Sequence, residues 1–543
     1  MSPTDTLDRR LEPRLVWTFA GALLALHAGL AWGSRELALL TAQDDGRYMI
    51  LARALGDLSY RDLHLVGTPA HAVYPPLYPA VLAVWGEIAG SRFGALLVSS
   101  IAFSVAALGF VFASVRRIWS PAGALILLAC LAVNPFLVAR AGSVRSESLY
   151  LLLSFAALWA LARREPSRRL IVLAGACAIL AALTRTVGVA LIAAIAVAWL
   201  RRRRLRSTLA FGVASAATVG AWLLWTVLVP QYEGVHYFAD AIPDSSSVVP
   251  GLVARVAQQV PSYAINGVQA VALPTLPGTP VDNLAGGMVA AVGVGLGLIA
   301  LFRRWPVAAI YIVLYAIVLA LWPYEHTRFL EPVIPLLVCA FLLGVWTLLR
   351  RAGRPWGVAG LTLVAGAVVA GGLIETRASI AVRRSCGPFS LSDPPACVQR
   401  DRASYLRALA FIDSTTAPDA VFLTAKPEAL YLYTGRRSIL LESTLGYRPE
   451  EYVERLADRG VDYVLLSSLH VNEPGALFEA LEPGCTRLVA EASFPPRTYL
   501  FRLRDPTADG PDGGGAGGAC AALAAYADSS RSRRFDLDAW YER

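Results

Sequence analysis

Arginine recurs in short clusters between apolar runs of about 20 residues, and this alternation limits the chain to one kind of architecture. After Arg9, Arg10 and Arg14 comes an apolar run over residues 15–33. Further runs follow over about 92–114, 119–138, 149–163, 170–184, 187–200, 208–229, 284–302, 305–322, 330–349 and 355–374. Arg116 and Arg117, Arg163 and Arg164 with Arg168 and Arg169, the 201–206 cluster, Arg303 and Arg304, and Arg350 and Arg351 with Arg354 all fall in every second connection. Positive residues mark the cytoplasmic side of a membrane protein. About eleven transmembrane helices satisfy the alternation, and an even number would break it. The N-terminus (1–14) is then cytoplasmic, while connections 34–91, 140–148, 230–283 and 322–328 and everything after 375 are extracytoplasmic. The expected fold class is an α-helical polytopic membrane protein with an external C-terminal domain. Several runs are short and require tilt or a locally thinner bilayer.

Composition agrees, since 56% hydrophobic residues and a mean hydropathy of +0.52 are too high for a soluble enzyme of 543 residues. A formal charge of +9 invites a nucleic-acid partner. The arginines form a topology signal and not a binding face, so no nucleic acid is expected. The 15–33 run exceeds a signal-peptide core of roughly 7–15 residues, and no A-x-A site precedes Ser34, so it reads as a span.

The transmembrane domain is expected over 15–374, with external loops 34–91 and 230–283. Within the second loop, residues 248–263 have the pattern of an amphipathic helix at the interface, against the plainer reading of an ordered loop. An α/β domain is expected over 375–504: strands at 420–425, 437–441 and 462–467 alternate with short helices at 427–433 and 449–459, and 487–491 with 498–503 form a closing hairpin. Residues 505–519 read as a Gly-rich linker and 520–543 as a tail. Cys130, Cys177 and Cys339 fall in spans as apolar filler. Cys386, Cys397, Cys485 and Cys520 fall outside, in an oxidising compartment if the membrane is bacterial, and allow three pairings; Cys386–Cys397 and Cys485–Cys520 is the expected one. No metal-type CxxC or HxxxH spacing occurs.

The spans are almost free of charge at their middles, and the polar residues collect at external ends: Asp44, Asp45, Arg47, Arg145, Glu147, Arg185, Glu325, Arg328 and Glu331. Charge in a membrane is expensive and marks function, and this gathering points to a site at the outer boundary. A proton-coupled transporter would place its charges nearer the midplane. Asp44 and Asp45 open a helix with Tyr48, Leu51, Ala52 and Leu55 on one face, and either aspartate can be a simple N-cap. As a base, a carboxylate there can take the proton of an acceptor hydroxyl. Arg47, one turn on, can face a phosphate or pair with Asp44. Tyr74 to Pro79 (YPPLYP) is stiff and extended because each proline fixes φ. It is either the plain start of a helix or an aromatic wall against a lipid or sugar.

At these residues the chain resembles the C-type (GT-C) glycosyltransferases, especially the protein O-mannosyltransferase and aminoarabinose transferase branch. The acidic pair with its aromatic (Asp44-Asp45-Gly46-Arg47-Tyr48), the YPP segment from Tyr74, Ser146-Glu147 after Arg145, Arg185 in LTRTVG and Arg328 in RFLEPVIP follow that family's order over roughly residues 15–350. The resemblance implies an external active site, a polyprenyl-phosphate-linked sugar donor and an inverting transfer. It also implies Asp44 as general base with Asp45 beside it, and Arg47 at the donor phosphate. Tyr48, Tyr74, Tyr78, Arg145, Glu147, Arg185 and Arg328 are the further candidate substrate-binding residues, with the charged ones expected to converge on the same cavity as Asp44. Two departures stand out: Asp45 where Glu is common, and Val73 where many relatives carry lysine. Arg328 or Arg185 would then supply that charge.

The acceptor is a glycan, a lipid or a protein, and the setting is membrane lipid, as an integral protein of a bacterial inner membrane. The cytoplasmic connections are short and lack a phosphate-binding Gly loop, which also favours a lipid-carried donor over a nucleotide sugar. A divalent cation is a candidate cofactor, since an acidic pair can hold one or work without one. The competing readings are a glycolipid transporter or flippase and a non-enzymatic envelope assembly protein.

Overall fold

The computed structural model describes residues 12–37, 39, 43–163, 165–229, 248–267, 280–322, 327–444, 447–469, 473–504 and 516–531. The chain divides into two compact units. One, the membrane unit, comprises Met1–Glu36, Ala72–Val229 and Tyr237–Arg384; the other, the α/β unit, comprises Leu37–His71, Pro230–His236 and Ser385–Arg543.

In the membrane unit, six helices are long and apolar enough to cross a bilayer: Pro13–Gly33, Phe93–Ile118, Leu205–Leu228, Leu284–Arg304, Arg328–Ala352 and Arg354–Ser385. A seventh span is made if Pro121–Ala132 and Pro135–Ala141, bent by 64°, count as one. Leu77–Ala89, Ser146–Ala160, Thr186–Arg201 and Pro306–Leu321 are apolar but shorter. Length and composition thus support six or seven spans among the described residues, against the eleven expected. The bend has a local cause. Pro135 cannot continue the preceding helix, and Asn134 Oδ1 accepts from the Leu137 N–H at 3.2 Å, capping a new one. The Leu77–Ala89 helix lies inside the stretch expected to be an external loop. Its prolines sit at the entry, where an N–H would be unsatisfied anyway, and the apolar residues that follow are free to wind.

Two devices lock the helices together. His27 is fully buried, with Nδ1 3.0 Å from the Ala132 carbonyl and Nε2 2.9 Å from Ser104 Oγ, so one ring ties three helices. The Pro280–Arg304 and Ile334–Leu349 helices meet backbone to backbone. A Cβ at Gly297 would overlap the Ala340 carbonyl, and one at Gly344 would overlap that of Gly293, so only glycine permits the approach. The Val248–Ser262 helix forms where an amphipathic segment was expected. Arg255 Nη1 donates to the Leu321 carbonyl at 3.0 Å and Gln259 Nε2 to that of Trp322 at 2.6 Å, meeting the orphan acceptors at the end of the Pro306–Leu321 helix.

The α/β unit holds a five-stranded sheet of β1 (Val421–Thr424), β2 (Arg437–Ile439), β3 (Tyr463–Ser467), β4 (Leu488–Phe494) and β5 (Thr498–Leu503), in the order β2-β1-β3-β5-β4. The first three strands are parallel and the closing β4–β5 hairpin is antiparallel. The period-2 pattern divides the core: Phe422, Leu465 and Leu500 pack on one face with Tyr405, Leu406 and Leu409 of the Arg400–Thr415 helix. Leu423, Val464, Leu466 and Phe501 pack on the other, with Leu456, Leu477, Leu481 and Leu523. The last of these belongs to the Ala516–Arg531 helix, which begins inside the stretch read as a linker. Disulfides join Cys386 to Cys397 and Cys485 to Cys520, the latter stapling that helix to the approach of β4. A short piece of the 37–71 segment extends the sheet beyond β2. The Val66 N–H donates to the Ser438 carbonyl and the Ser438 N–H to that of His64, both at 3.0 Å.

Candidate active site

The polar stretch behind the first span belongs to the α/β unit, and its helix Gln43–Gly56 carries Asp44 and Asp45 in the first turn. Carboxylates there complement the unpaired N–H groups and the positive end of the helix dipole. Asp44 is partly exposed, whereas Asp45 is fully buried. The face of Tyr48, Leu51 and Ala52 is buried as expected, but so are Met49, Ile50 and Ala54, so the helix is enclosed and not one-sided. Gly46 is where the Pro427–Thr434 helix crosses: a Cβ there would stand 3.0 Å from Glu428 Cβ and 3.3 Å from Leu432 Cδ1.

That crossing brings Arg47 Nη2 to 2.5 Å from the buried Glu428 Oε1. The arginine expected at a donor phosphate therefore holds a carboxylate of the C-terminal domain. Around this pair lies a group of histidines. His71 Nδ1 is 3.0 Å from both oxygens of Asp62, and fully buried His64 stands 3.9 Å from Asp62 and from Glu428. Burial would raise the Asp62 carboxyl, but the neighbouring His71, Arg47 and His64 outweigh it and hold it well below the usual range. Glu428 follows the same logic: burial opposes ionisation, and Arg47 and His64 restore it. His64 is pushed down to about 4 by burial, only partly offset by Glu428, so it is a neutral ring at pH 7.

In the membrane unit a second polar group gathers at helix ends. Glu147, 1% exposed in the first turn of Ser146–Ala160, forms an ion pair with Arg185 Nη1 at 2.8 Å, and Arg185 Nη1 donates to Ser146 Oγ at 3.0 Å. Arg140 makes a two-pronged bond to Glu331, Nε to Oε2 and Nη2 to Oε1, both 2.7 Å. Arg145 is 3.7 Å from Glu36, a looser contact. Glu331 lies within electrostatic range of Glu147, Arg145, Arg328 and Arg185, and Arg328 sits 5.7 Å over the Phe329 ring. Beside them, Tyr315 donates to the Phe329 carbonyl at 2.7 Å and the Tyr150 and Tyr311 hydroxyls meet at 2.8 Å.

The structure therefore brings Arg145, Glu147, Arg185 and Arg328 together about Glu331, while Asp44, Asp45, Arg47 and Tyr48 share the Gln43–Gly56 helix. Tyr74 is partly exposed, in keeping with a wall. Tyr78 is fully buried with its hydroxyl 3.5 Å from Ser100 Oγ, so its ring packs within the core. Glu325 lies outside the described residues. Sequence reasoning did not single out Arg140, Glu36, Asp62, His64, His71 or Glu428. The available signal was that two of the chain's six histidines, His64 and His71, follow Asp62 within nine positions; nothing local marks Glu428. Among the described residues no three His, Cys, Asp or Glu side chains are grouped to hold a metal ion.

Residues 73–226 match the family model described as dolichyl-phosphate-mannose-protein mannosyltransferase. Among solved structures, ArnT from Cupriavidus metallidurans bound to undecaprenyl phosphate is 15% identical over 91% of this chain and 98% of its own, with a TM-score of 0.55. The oligosaccharyltransferase of Archaeoglobus fulgidus, tethered with an acceptor peptide containing the NVT sequon, is 14% identical over 90% of this chain and 74% of its own, with a TM-score of 0.52. No curated protein sequence matches the chain significantly. The chain has the fold of the C-type glycosyltransferases and, over residues 73–226, the sequence pattern of the dolichyl-phosphate-mannose-protein mannosyltransferase family.

Proposed function

We propose that this integral membrane protein is a glycosyltransferase that moves a sugar from a polyprenyl-phosphate donor to an acceptor hydroxyl on the extracytoplasmic face. Transfer inverts the anomeric centre, and Asp44 is the general base. The observation that carries this reading is the arginine group of the membrane unit. Arg140, Arg145, Arg185 and Arg328 bring four guanidinium charges against the three carboxylates Glu36, Glu147 and Glu331. Arginines gathered at the ends of apolar helices suit a lipid-borne phosphate, which guanidinium groups bind with directed hydrogen bonds. The family match over 73–226 supports the reaction class. ArnT, solved bound to undecaprenyl phosphate, supports the donor class.

In this reading the acceptor oxygen attacks the anomeric carbon while Asp44 takes its proton. The bond from that carbon to the phosphate oxygen breaks, and its electron pair leaves on the phosphate, where guanidinium groups stabilise it. A single displacement inverts the configuration. Asp45 and Arg47 hold the helix end that presents Asp44. Residues 15–374 form the transferase domain, the C-terminal domain faces the extracytoplasmic side, and the acceptor is a glycan, a lipid or a protein. Purified protein given polyprenyl-phosphate sugar and an acceptor should release polyprenyl phosphate with time. Recovery of intact donor, merely moved across a proteoliposome bilayer, would instead identify a flippase.

A further inference from the structure

In the membrane unit, Arg328 and Glu331 share one short 3-10 turn, Thr327–Val333, with a proline at 332. In such a turn the Phe329 carbonyl would accept from the N–H three positions on, but proline has none. A carbonyl orphaned in this way needs a donor from elsewhere. Tyr315, 2% exposed on the Pro306–Leu321 helix, supplies it: its hydroxyl donates to the Phe329 carbonyl at 2.7 Å. The Tyr315 ring is fixed in turn by an edge-on contact with the Tyr311 ring, centroids 5.7 Å apart. Three holds therefore act on this turn. Tyr315 takes the backbone next to Arg328, the close approach of Gly267 takes Leu330, and Arg140 takes the Glu331 carboxylate with two bonds. Arg328, partly exposed, is the charged side chain that these holds present.

We propose that Tyr315 is a positioning residue, fixing the backbone behind Arg328 so that its guanidinium meets the phosphate of the polyprenyl-phosphate donor. The inference rests on the transferase reading and adds to it a residue that touches neither substrate nor the reacting atoms. Guanidinium–phosphate bonds are directional, so a turn displaced by about 1 Å loses them even where the fold is kept. A hydroxyl that only satisfied a carbonyl would contribute to stability alone. One that sets this turn contributes to phosphate affinity, and does so through Arg328.

Binding of a polyprenyl phosphate to the purified full chain, compared with the unphosphorylated polyprenol, tests this in a double-mutant cycle. Tyr315→Phe removes only the hydroxyl and should weaken polyprenyl phosphate binding about tenfold while leaving polyprenol binding unchanged. In an Arg328→Gln background the same change should weaken binding by less than about twofold, because the residue it acts through is gone. Tyr311→Phe, which removes a hydroxyl one turn earlier from its bond to Tyr150, should keep the parent affinity. Tyr315→Met also lacks the hydroxyl and serves if the phenylalanine variant does not fold. Parent affinity in Tyr315→Phe, or an equal loss in both backgrounds, for polyprenol, or in Tyr311→Phe, would overturn the inference and leave the transferase reading standing. A parent chain that binds polyprenyl phosphate no better than polyprenol would overturn the donor class and the inference with it.

Discussion

Arg140 and Arg145 lie five positions apart and do different work. Arg140 grips Glu331 with two 2.7 Å bonds in a site where Glu331 is 2% exposed, whereas Arg145 approaches Glu36 only to 3.7 Å. Removing one partner of a buried pair strands the other charge at about 3–5 kcal/mol. Glu331→Ala should therefore lower stability by about that amount in denaturant or thermal unfolding. Arg145→Gln should be milder for the fold but slow transfer about 10²-fold, seen as a loss of kcat/KM in donor titrations. The charges themselves were legible, because Arg145, Glu147, Arg185 and Arg328 interrupt apolar runs where charge is costly. Their partners were not: Arg185 takes Glu147 and Arg140 takes Glu331 from helices far away in sequence, and no local pattern encodes that pairing.

At the scale of elements, the junction of the 64–66 segment with β2 is the place where pH should act. His64 has a value near 4 in the fold against an ordinary 6.5, so the native ring stays neutral while the unfolded chain takes a proton below pH 6.5. Its contribution is complete above pH 6.5 and is lost as pH falls toward 4, on the order of 3 kcal/mol. Asp62 and Glu428, held low in the fold, add a further loss that begins as pH falls through their ordinary values of 3.8 and 4.5. Melting of the purified protein from pH 8 to pH 4 should show the decline starting near 6.5, and His64→Gln should flatten it. A second element-scale prediction concerns the glycine contact. Gly297→Ala puts a methyl into the Ala340 carbonyl, so the two helices must separate, and the variant should lose monodispersity or melt well below the parent in detergent. The strands around Phe422 and Val464 were readable as short, nearly continuous apolar runs, since each is buried on both faces. The Glu473–Leu481 helix was missed because it has only 9 residues, and the 16-residue Arg400–Thr415 helix because Arg, Asp and Ser interrupt its apolar positions. The 64–66 pairing was missed because so short a ladder leaves no periodicity.

At the scale of the molecule, the arginine clusters made a membrane fold legible, because charge position and apolar length are both imposed by the bilayer. The number of spans was less legible. A run such as 146–160 is as apolar as a span but forms a 15-residue helix, and the 119–138 run breaks at Asn134-Pro135. Composition does not distinguish a short buried helix from a tilted crossing. The proposed reaction rests on one carboxylate, that of Asp44. The most direct test is the rate at which purified protein releases polyprenyl phosphate from a polyprenyl-phosphate sugar, compared between the parent and Asp44→Asn. Asp44→Asn should fold with the same melting temperature and transfer at a rate lower by about 10²–10⁴-fold. A folded Asp44→Asn protein that transfers at the parent rate would contradict it.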